Sequence, residues 1–384
     1  MKVIQLGCGI TGLVCAEHLA KNEKVSELVL ADSKTNAAAG LMTRLKNDKL
    51  SVTKVDATDE KSLRRLMKDA DIVISSLSWV LNRKVIDTAI STGTNYVDFS
   101  LTLDWDEIEK PKKAYREADI TILTCAGEDP GISDVFARYS ADQLDHVDQI
   151  RIMDGDNGTA EGYDFFSFWS PSDLMDEVST PAGIFKNGKM IRVAPLSERG
   201  IYEFPPPIGP LTVYNTDHEE TYLMSKLIRG VKNVDFRIAI DDNFANIARA
   251  LRQVGMHRRD QIDVKGEKVV PLDVLAALMP RPVDFVGKVK GDSGIVVETT
   301  GSLNGKKKMI KMWVTMSHEK AYELCRSNAI GYLVGIGGAI ATDMIIANEI
   351  SQKGLIFPEQ IPAKRFLDRM REKGLEFHER IYDI

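Results

Sequence analysis

Cysteine is scarce in this chain, with four among 384 residues. Cys8, Cys15, Cys125 and Cys325 show neither C-x-x-C nor zinc-ribbon spacing. That excludes a disulfide framework and a thiolate metal site, and fits a reducing compartment. Met1 opens directly onto an apolar strand with no leader ahead of it, so a cytoplasmic location is expected. Histidine is nearly as sparse, six residues in all. His218-Glu219-Glu220 lacks the H-E-x-x-H spacing that sets two histidines on one helix face, so no metal is expected. No charge of one sign dominates. A net charge of −6 and a pI near 5.7 give no general reason to expect nucleic acid or an anionic membrane as partner. The basic run Lys306, Lys307, Lys308 follows Asn304-Gly305, a hairpin signal between VVETTGSL and MIKMWVTM, and reads as a solvated turn.

Long apolar runs are missing too. The stretch Ile330 to Ile340 comes nearest, but Asp343 and Asn348 interrupt its continuation before a bilayer is crossed, so a buried helix is expected. Gly331, Gly335, Gly337 and Gly338 would let that helix pack closely against another element. No Ser-His-Asp ordering, P-loop or nucleophile elbow is found, which leaves hydrolase and kinase chemistry without a motif.

What is present is a core-building composition, 43% hydrophobic over a length that suits two domains. The first thirty or so residues carry the strongest pattern. The strand Val3 to Leu6 runs into Gly7, Gly9 and Gly12 in G-x-G-x-x-G, then into a helix Thr11 to Ala20. Those glycines allow a tight turn, close backbone approach to a pyrophosphate and close helix packing, and Ile10 and Thr11 open the helix whose N-terminus faces the phosphates. Asp32 ends the next strand, Glu27 to Ala31, where a carboxylate accepts from the adenosine ribose hydroxyls. That favours NAD, although Ser33-Lys34 leaves NADP open.

Alternation then continues through LSVTKVDATD, a helix Lys61 to Lys68, DIVISSLS, a helix Asn82 to Thr92, TNYVDFS, a helix Ile108 to Glu117, and ITILTCAG. Such βαβ alternation predicts a doubly wound parallel Rossmann sheet over residues 1–125. Past GEDPGISD the pattern breaks into aromatic loops, GYDFFSFWSPSD, and the proline cluster EFPPPIGP. QIRIMDG, VDFRIAI, GKVKGDSGIVVETTG and KKMIKMWVTM then predict an α+β domain with a mixed or antiparallel sheet over 126–325. Residues 326–384 show no strand of their own and are expected to pack back on the first domain.

Taken in order, GCGITG, VDAT, VISSLS, VDFS, GEDPGIS, FSFWSPSDL, DFRIAI and GLIFPEQI resemble the saccharopine dehydrogenase family over nearly the whole chain. The resemblance implies an NAD(P)-dependent amino-acid dehydrogenase and a homodimer. It implies further cofactor contacts from Asp56 and Ala57 of VDAT and from Ser75, Ser76 and Leu77 of VISSLS. In length the chain resembles the lysine 6-dehydrogenase type, so oxidative deamination of L-lysine at its terminal amine is the expected reaction. Condensation to a secondary amine, as in saccharopine or carboxynorspermidine dehydrogenases, is the alternative, and a non-catalytic nucleotide sensor the third. Leu101 stands where the family carries an aromatic after V-D-x-S, and Asp129 in GEDPG resembles the saccharopine-forming enzymes.

Chemistry at a C–N bond needs a group to take the amine proton. Asp129, just past ITILTCAG at the sheet's C-terminal edge, is the expected acid–base residue, with Glu128 beside it; Asp129 could instead cap the helix starting near Ile132. Arg237 is the candidate clamp for a substrate carboxylate, in a strand where the family places an arginine, or else a solvated strand residue. Asn215, Asp217 and His218 fall where the family contacts substrate, though His218 reads equally as an ordinary loop residue. Phe166, Trp169 and Ser170 could wall the substrate's aliphatic part or belong to the core. Trp79, after VISSLS, is expected near the nicotinamide side or over the adjoining helix.

Overall fold

The computed structural model describes residues 1–101, 103, 107, 108 and 110–384. Contacts divide the chain into one unit of residues 1–139 with 331–376, and a second of residues 140–330 with 377–384.

The first unit is built on a seven-stranded sheet. Its strands are β1 (Lys2–Leu6), β2 (Glu27–Asp32), β3 (Leu50–Lys54), β4 (Ile72–Ser75), β5 (Asn95–Asp98), β6 (Thr121–Leu123) and a late strand, Gly354–Ile356, which is β19 in chain order. All pair in parallel, in the order β19-β6-β5-β4-β1-β2-β3. The near-continuous apolar strands, buried along IVIS and LVLA, require helices on both faces, and the intervening helices supply them. Strand order reverses between β1 and β4, which puts the ligand crevice at their C-terminal ends.

Two features of this unit differ from the sequence reading. The helix expected over Ile108 to Glu117 is broken at Pro111, with Glu107 and Ile108 helical before it and one turn, Lys113–Arg116, after it; Glu109 lies outside the described residues. The C-terminal segment is not strandless. Gly354–Ile356 adds to β6, and three residues are too few to show alternation. A helix over Asn36–Leu45, which the sequence reading left undescribed, covers β2 and β3 through Ala38 and Leu41.

The apolar helix Ala329–Ile346 has the length and composition of a membrane span, yet 89% of it is buried within the protein. Its glycines show why. A Cβ at Gly335 would fall 2.6 Å from Val14 Cβ, and one at Gly338 would fall 2.1 Å from the Phe99 ring, so the helix lies against its neighbours closer than any side chain permits.

The second unit carries a nine-stranded mixed sheet. Along it run β7 (His146–Asp156), β9 (Ala182–Lys186), β10 (Lys189–Val193), β11 (Ser197–Phe204), β12 (Gly209–Asn215), β13 (Asn233–Ala239), β17 (Asp292–Leu303), β18 (Lys306–Ser317) and β20 (Phe377–Asp383). The order is β10-β9-β13-β7-β17-β18-β20, with β12 also on β13 and β11 on β12. The proline cluster forms the β11–β12 turn. Short pairs β8 (Thr159–Ala160) with β16 (Val289–Lys290), and β14 (Ile262–Val264) with β15 (Glu267–Val269), lie off the sheet. The twelve-residue partners β17 and β18 are joined at Asn304-Gly305, both with positive φ, as the hairpin signal predicts. The last strand, β20, extends this second sheet; its exposed, charged sequence HERIYD gave no core-facing period.

Candidate cofactor and substrate sites

In the first unit, β1 delivers Gly7 at φ +90, where an L side chain is strained, and a Cβ at Gly12 would fall 2.2 Å from the Gly7 carbonyl oxygen. A Cβ at Gly9 meets nothing within 4 Å, so open space lies before the helix Ile10–Leu19. That helix starts with no capping side chain and no acidic residue in its first turn. A helix N-terminus with no capping side chain and no acid in its first turn, behind a glycine with open space at its Cβ, suits a pyrophosphate. Ser76 holds the loop from below: its hydroxyl donates to the Gly7 oxygen at 2.8 Å and accepts from Gln5 Nε2 at 3.0 Å.

Asp32, at the end of β2, accepts from Cys8 N–H at 2.7 Å and Lys34 N–H at 2.8 Å, which ties the glycine loop to the second strand. Asp56 is exposed and held ionised below the usual carboxylate range by the Thr58 hydroxyl and N–H. Ala57 is buried beside it and Leu77 is half-buried. Ser75 is buried, and its hydroxyl turns inward to Asn82 at 2.7 Å. Trp79 begins the helix Trp79–Thr92 and is 38% exposed. Asp129 is half-buried and Glu128 buried past β6. The side chain seen serving the start of the helix Ile132–Ala141 is Asp134, which accepts from Gly131 N–H at 2.6 Å.

In the second unit the candidate residues separate. His218 lies flat on Phe236, ring centroids 3.8 Å apart, and its Nδ1 bonds the Glu220 carboxylate. Arg237 follows Phe236 on β13 and so points to the opposite face of the sheet. There its guanidinium donates to Asp235 at 3.1 Å and to Glu198 at 2.8 Å, commitments that the sequence could not show. Asn215 pairs with Arg237 across β12 and β13; it is fully buried, and neither amide atom has a protein partner. Asp217 is structural, accepting from Gly183 N–H at 2.8 Å, Arg192 at 2.6 Å and Tyr222 at 2.6 Å. Phe166 packs edge-on against Phe168 and Phe285 in a small core, Trp169 is half-buried, and Ser170 caps the helix Pro171–Glu177.

Around His218 the fold gathers acids that the sequence did not mark as a site. Asp154 on β7 shares a face with Ile152 and Ile238, and burial pushes its carboxyl well above the ordinary range, aided by Asp156 and Glu177. Burial likewise pushes Glu177 up to about 7. For His218, burial works against the charge, but Glu220 and Glu219 outweigh it and raise the imidazole well above its usual value. Ligand atoms of His218, Glu219 and Glu220 lie within 4.8 Å of one another, but Nδ1 is engaged with Glu220. A faint signal existed for Asp154, an acid on the otherwise apolar alternate positions Ile150 and Ile152; Glu177, in PSDLMDE, carried none.

Comparison with known proteins matches residues 3–123 to the saccharopine dehydrogenase NADP binding domain and residues 127–375 to the saccharopine dehydrogenase C-terminal domain. Carboxynorspermidine synthase of Vibrio alginolyticus is 28% identical, over 98% of this chain and 96% of its own. Carboxyaminopropylagmatine dehydrogenase of Synechocystis is 25% identical, over 98% and 97%. The solved apo saccharopine dehydrogenase (L-Glu forming) of Saccharomyces cerevisiae shares the fold, with TM-score 0.76 and 18% identity over 99% of both chains. Length therefore does not single out lysine 6-dehydrogenase, since full-length relatives named for carboxylated amines have the same extent.

Proposed function

The chain belongs to the saccharopine dehydrogenase family, and on that premise we propose that this NAD(P)-dependent oxidoreductase joins a polyamine-type amine to a carboxylate-bearing aldehyde. The expected lysine deamination gives way to the condensation alternative, which the relatives named for carboxynorspermidine and carboxyaminopropylagmatine favour. The observation that carries the reading is the acidic cluster around His218, in which Asp154 and Glu220 are buried, Glu177 is half-buried, and His218 Nδ1 bonds the Glu220 carboxylate. Carboxyls that burial holds protonated beside His218 are suited to give up the proton and receive an ammonium.

In this reading amine and aldehyde lose water to form an imine. When bound, a reduced nicotinamide would supply hydride to the imine carbon, and a proton would complete the secondary amine. The glycine loop, the helix N-terminus at Ile10 and Thr11, and Asp32 hold the dinucleotide. The acid cluster orients the amine's distal ammonium, excluding water from it. Asp129 is proposed to hand over and take back the proton at the reacting nitrogen. A substrate carboxylate would reach Arg237 only by displacing Glu198, whose side chain is 49% exposed.

The test is nicotinamide absorbance with purified protein and carboxynorspermidine, saccharopine or L-lysine in the oxidative direction, and diamines with an amino-acid semialdehyde in the reductive one. Turnover of the carboxylated polyamine, or consumption of reduced cofactor by a diamine with the semialdehyde, is expected. Turnover of lysine alone would return the assignment to oxidative deamination.

A further inference from the structure

Away from the acid cluster, the first unit holds a second buried polar assembly that the proposed chemistry does not use. Asp98 ends β5 with no exposed surface. Its Oδ1 accepts from Thr124 Oγ1 at 2.6 Å and Cys125 N–H at 2.9 Å, and its Oδ2 from Tyr96 OH at 2.7 Å; the Ser100 N–H also reaches it. Tyr96, itself fully buried, bonds Ser75 in turn. Ser75 Oγ meets Asn82 Oδ1 at 2.7 Å, and Asn82 Nδ2 meets Ser100 Oγ at 3.3 Å. The chain Asp98, Tyr96, Ser75, Asn82, Ser100 thus joins the ends of β4 and β5 to the helix Trp79–Thr92, and Thr124 with Cys125 adds the end of β6. Only Ser100 of the five is more than 2% exposed.

In a sheet ordered 3-2-1-4-5-6, the half built on β4, β5 and β6 receives the second mononucleotide, and the glycine loop and Asp32 on β1 and β2 receive the first. We propose that Asp98 is a positioning residue for the nicotinamide half of the cofactor, setting through Tyr96, Ser75 and Asn82 whether the Ser100 hydroxyl donates or only accepts at that edge.

The donor sense of the chain has two complete settings. With Asp98 protonated, its O–H donates to Tyr96, Tyr96 to Ser75, Ser75 to Asn82 Oδ1, and Asn82 Nδ2 to Ser100, whose own hydrogen is left to donate outward. With Asp98 ionised, Tyr96 donates back to Asp98, Ser75 to Tyr96, the turned Asn82 amide to Ser75, and Ser100 to Asn82 Oδ1. Ser100 then presents lone pairs alone. One proton taken up at Asp98 is the whole difference between the settings: the Tyr96, Ser75 and Ser100 hydroxyls each keep their hydrogen and rotate, and the Asn82 amide turns over. The groups facing Asp98 are Tyr96 from β5, Thr124 and Cys125 beyond β6, and Ser100, each offering it a neutral hydrogen-bond donor. Burial pushes Asp98 up to about 7 in spite of the hydrogen bonds it accepts, so both settings are reached near neutral pH.

The test measures the dissociation constant of NADH and NADPH by nucleotide fluorescence on the full chain from about pH 5.5 to 8.5, beside far-UV circular dichroism. The parent's constant is expected to change several-fold with a midpoint near 7. Asp98→Asn, whose carboxamide donates to Tyr96 as the protonated acid does, should hold the low-pH value throughout. Tyr96→Phe cuts the chain while leaving Asp98 its Thr124 and Cys125 donors, so the constant should become flat with pH although stability still responds to Asp98. Ser100→Ala, at a half-buried position, tests the outer end should either buried variant fail to fold. A pH-independent constant in the parent, or a parent-like midpoint surviving in Tyr96→Phe or Ser100→Ala, overturns the proposal.

Discussion

Asp32 shows how one carboxylate can hold a loop and choose a cofactor. The two backbone N–H groups that donate to it leave lone pairs for ribose hydroxyls, while its negative charge opposes a 2′-phosphate. We expect NAD to have the higher kcat/KM and Asp32→Ser to shift the ratio toward NADP by tenfold or more; a parent that already prefers NADP removes the argument. Glu177 makes a second residue-scale claim. Because its folded pKa is near 7, the ionised form that would receive an ammonium is lost as pH falls below 7. The amine KM should therefore rise on acidification, and Glu177→Gln should raise it at pH 8 and flatten that limb; steady-state kinetics at several pH values decide it. Arg237 belongs to the other sheet face, so Arg237→Leu, which takes the hydrogen-bonded cation from Asp235 and leaves it the more distant Arg151, should cost about 1 to 3 kcal/mol of stability in urea unfolding.

At the scale of elements, the close approaches bring glycine backbone against a carbonyl or a buried side chain and leave little room to yield. A methyl at Gly12 meets the Gly7 carbonyl at 2.2 Å, so Gly12→Ala should abolish nucleotide binding in a fluorescence titration while the protein stays folded. A methyl at Gly338 meets the Phe99 ring at 2.1 Å. Gly338→Ala should cost about 1 to 3 kcal/mol as an overpacking strain, and an unchanged melting temperature would show that the helix can shift away. These elements also divide by how far the sequence exposes them. The strand and turn around Gly7 to Gly12 declare themselves because each residue type answers a local backbone demand. Gly354–Ile356 and Phe377–Asp383 do not, since one is too short for a period and the other is an edge strand exposed on both faces. The helix over 108–117 fails for a legible reason, Pro111, which the periodic reading passed over.

Over the whole molecule, buried acids give stability an unusual pH response. Asp98 and Glu177 titrate near 7 when folded and near 4 when unfolded. Between those values the folded chain binds protons that the unfolded chain has released, so their contribution falls as pH rises from about 4 to about 7. His18 acts oppositely: burial holds it down to about 3, so stability is lost as pH drops below about 6.5, where the unfolded histidine takes up a proton. Relative to the parent, the double variant Asp98→Asn, Glu177→Gln should gain about 5 kcal/mol in urea unfolding between pH 5 and pH 8, shared between the two acids; a constant difference would mean these acids are not protonated in the fold. None of this was readable beforehand. The sequence by itself determined the dinucleotide unit, the second α+β region and the family, because strand–turn–helix signals and motif order are written in residues close together along the chain. Only the tertiary structure decided that Asp154 and Glu177 meet His218, that Arg237 turns the other way, and that Asp98 reaches Ser100 through Tyr96, Ser75 and Asn82. Protonation and hydrogen-bond sense depend on burial and on which distant side chains strand pairing brings into contact, and neither is a property of a residue or of its neighbours in sequence.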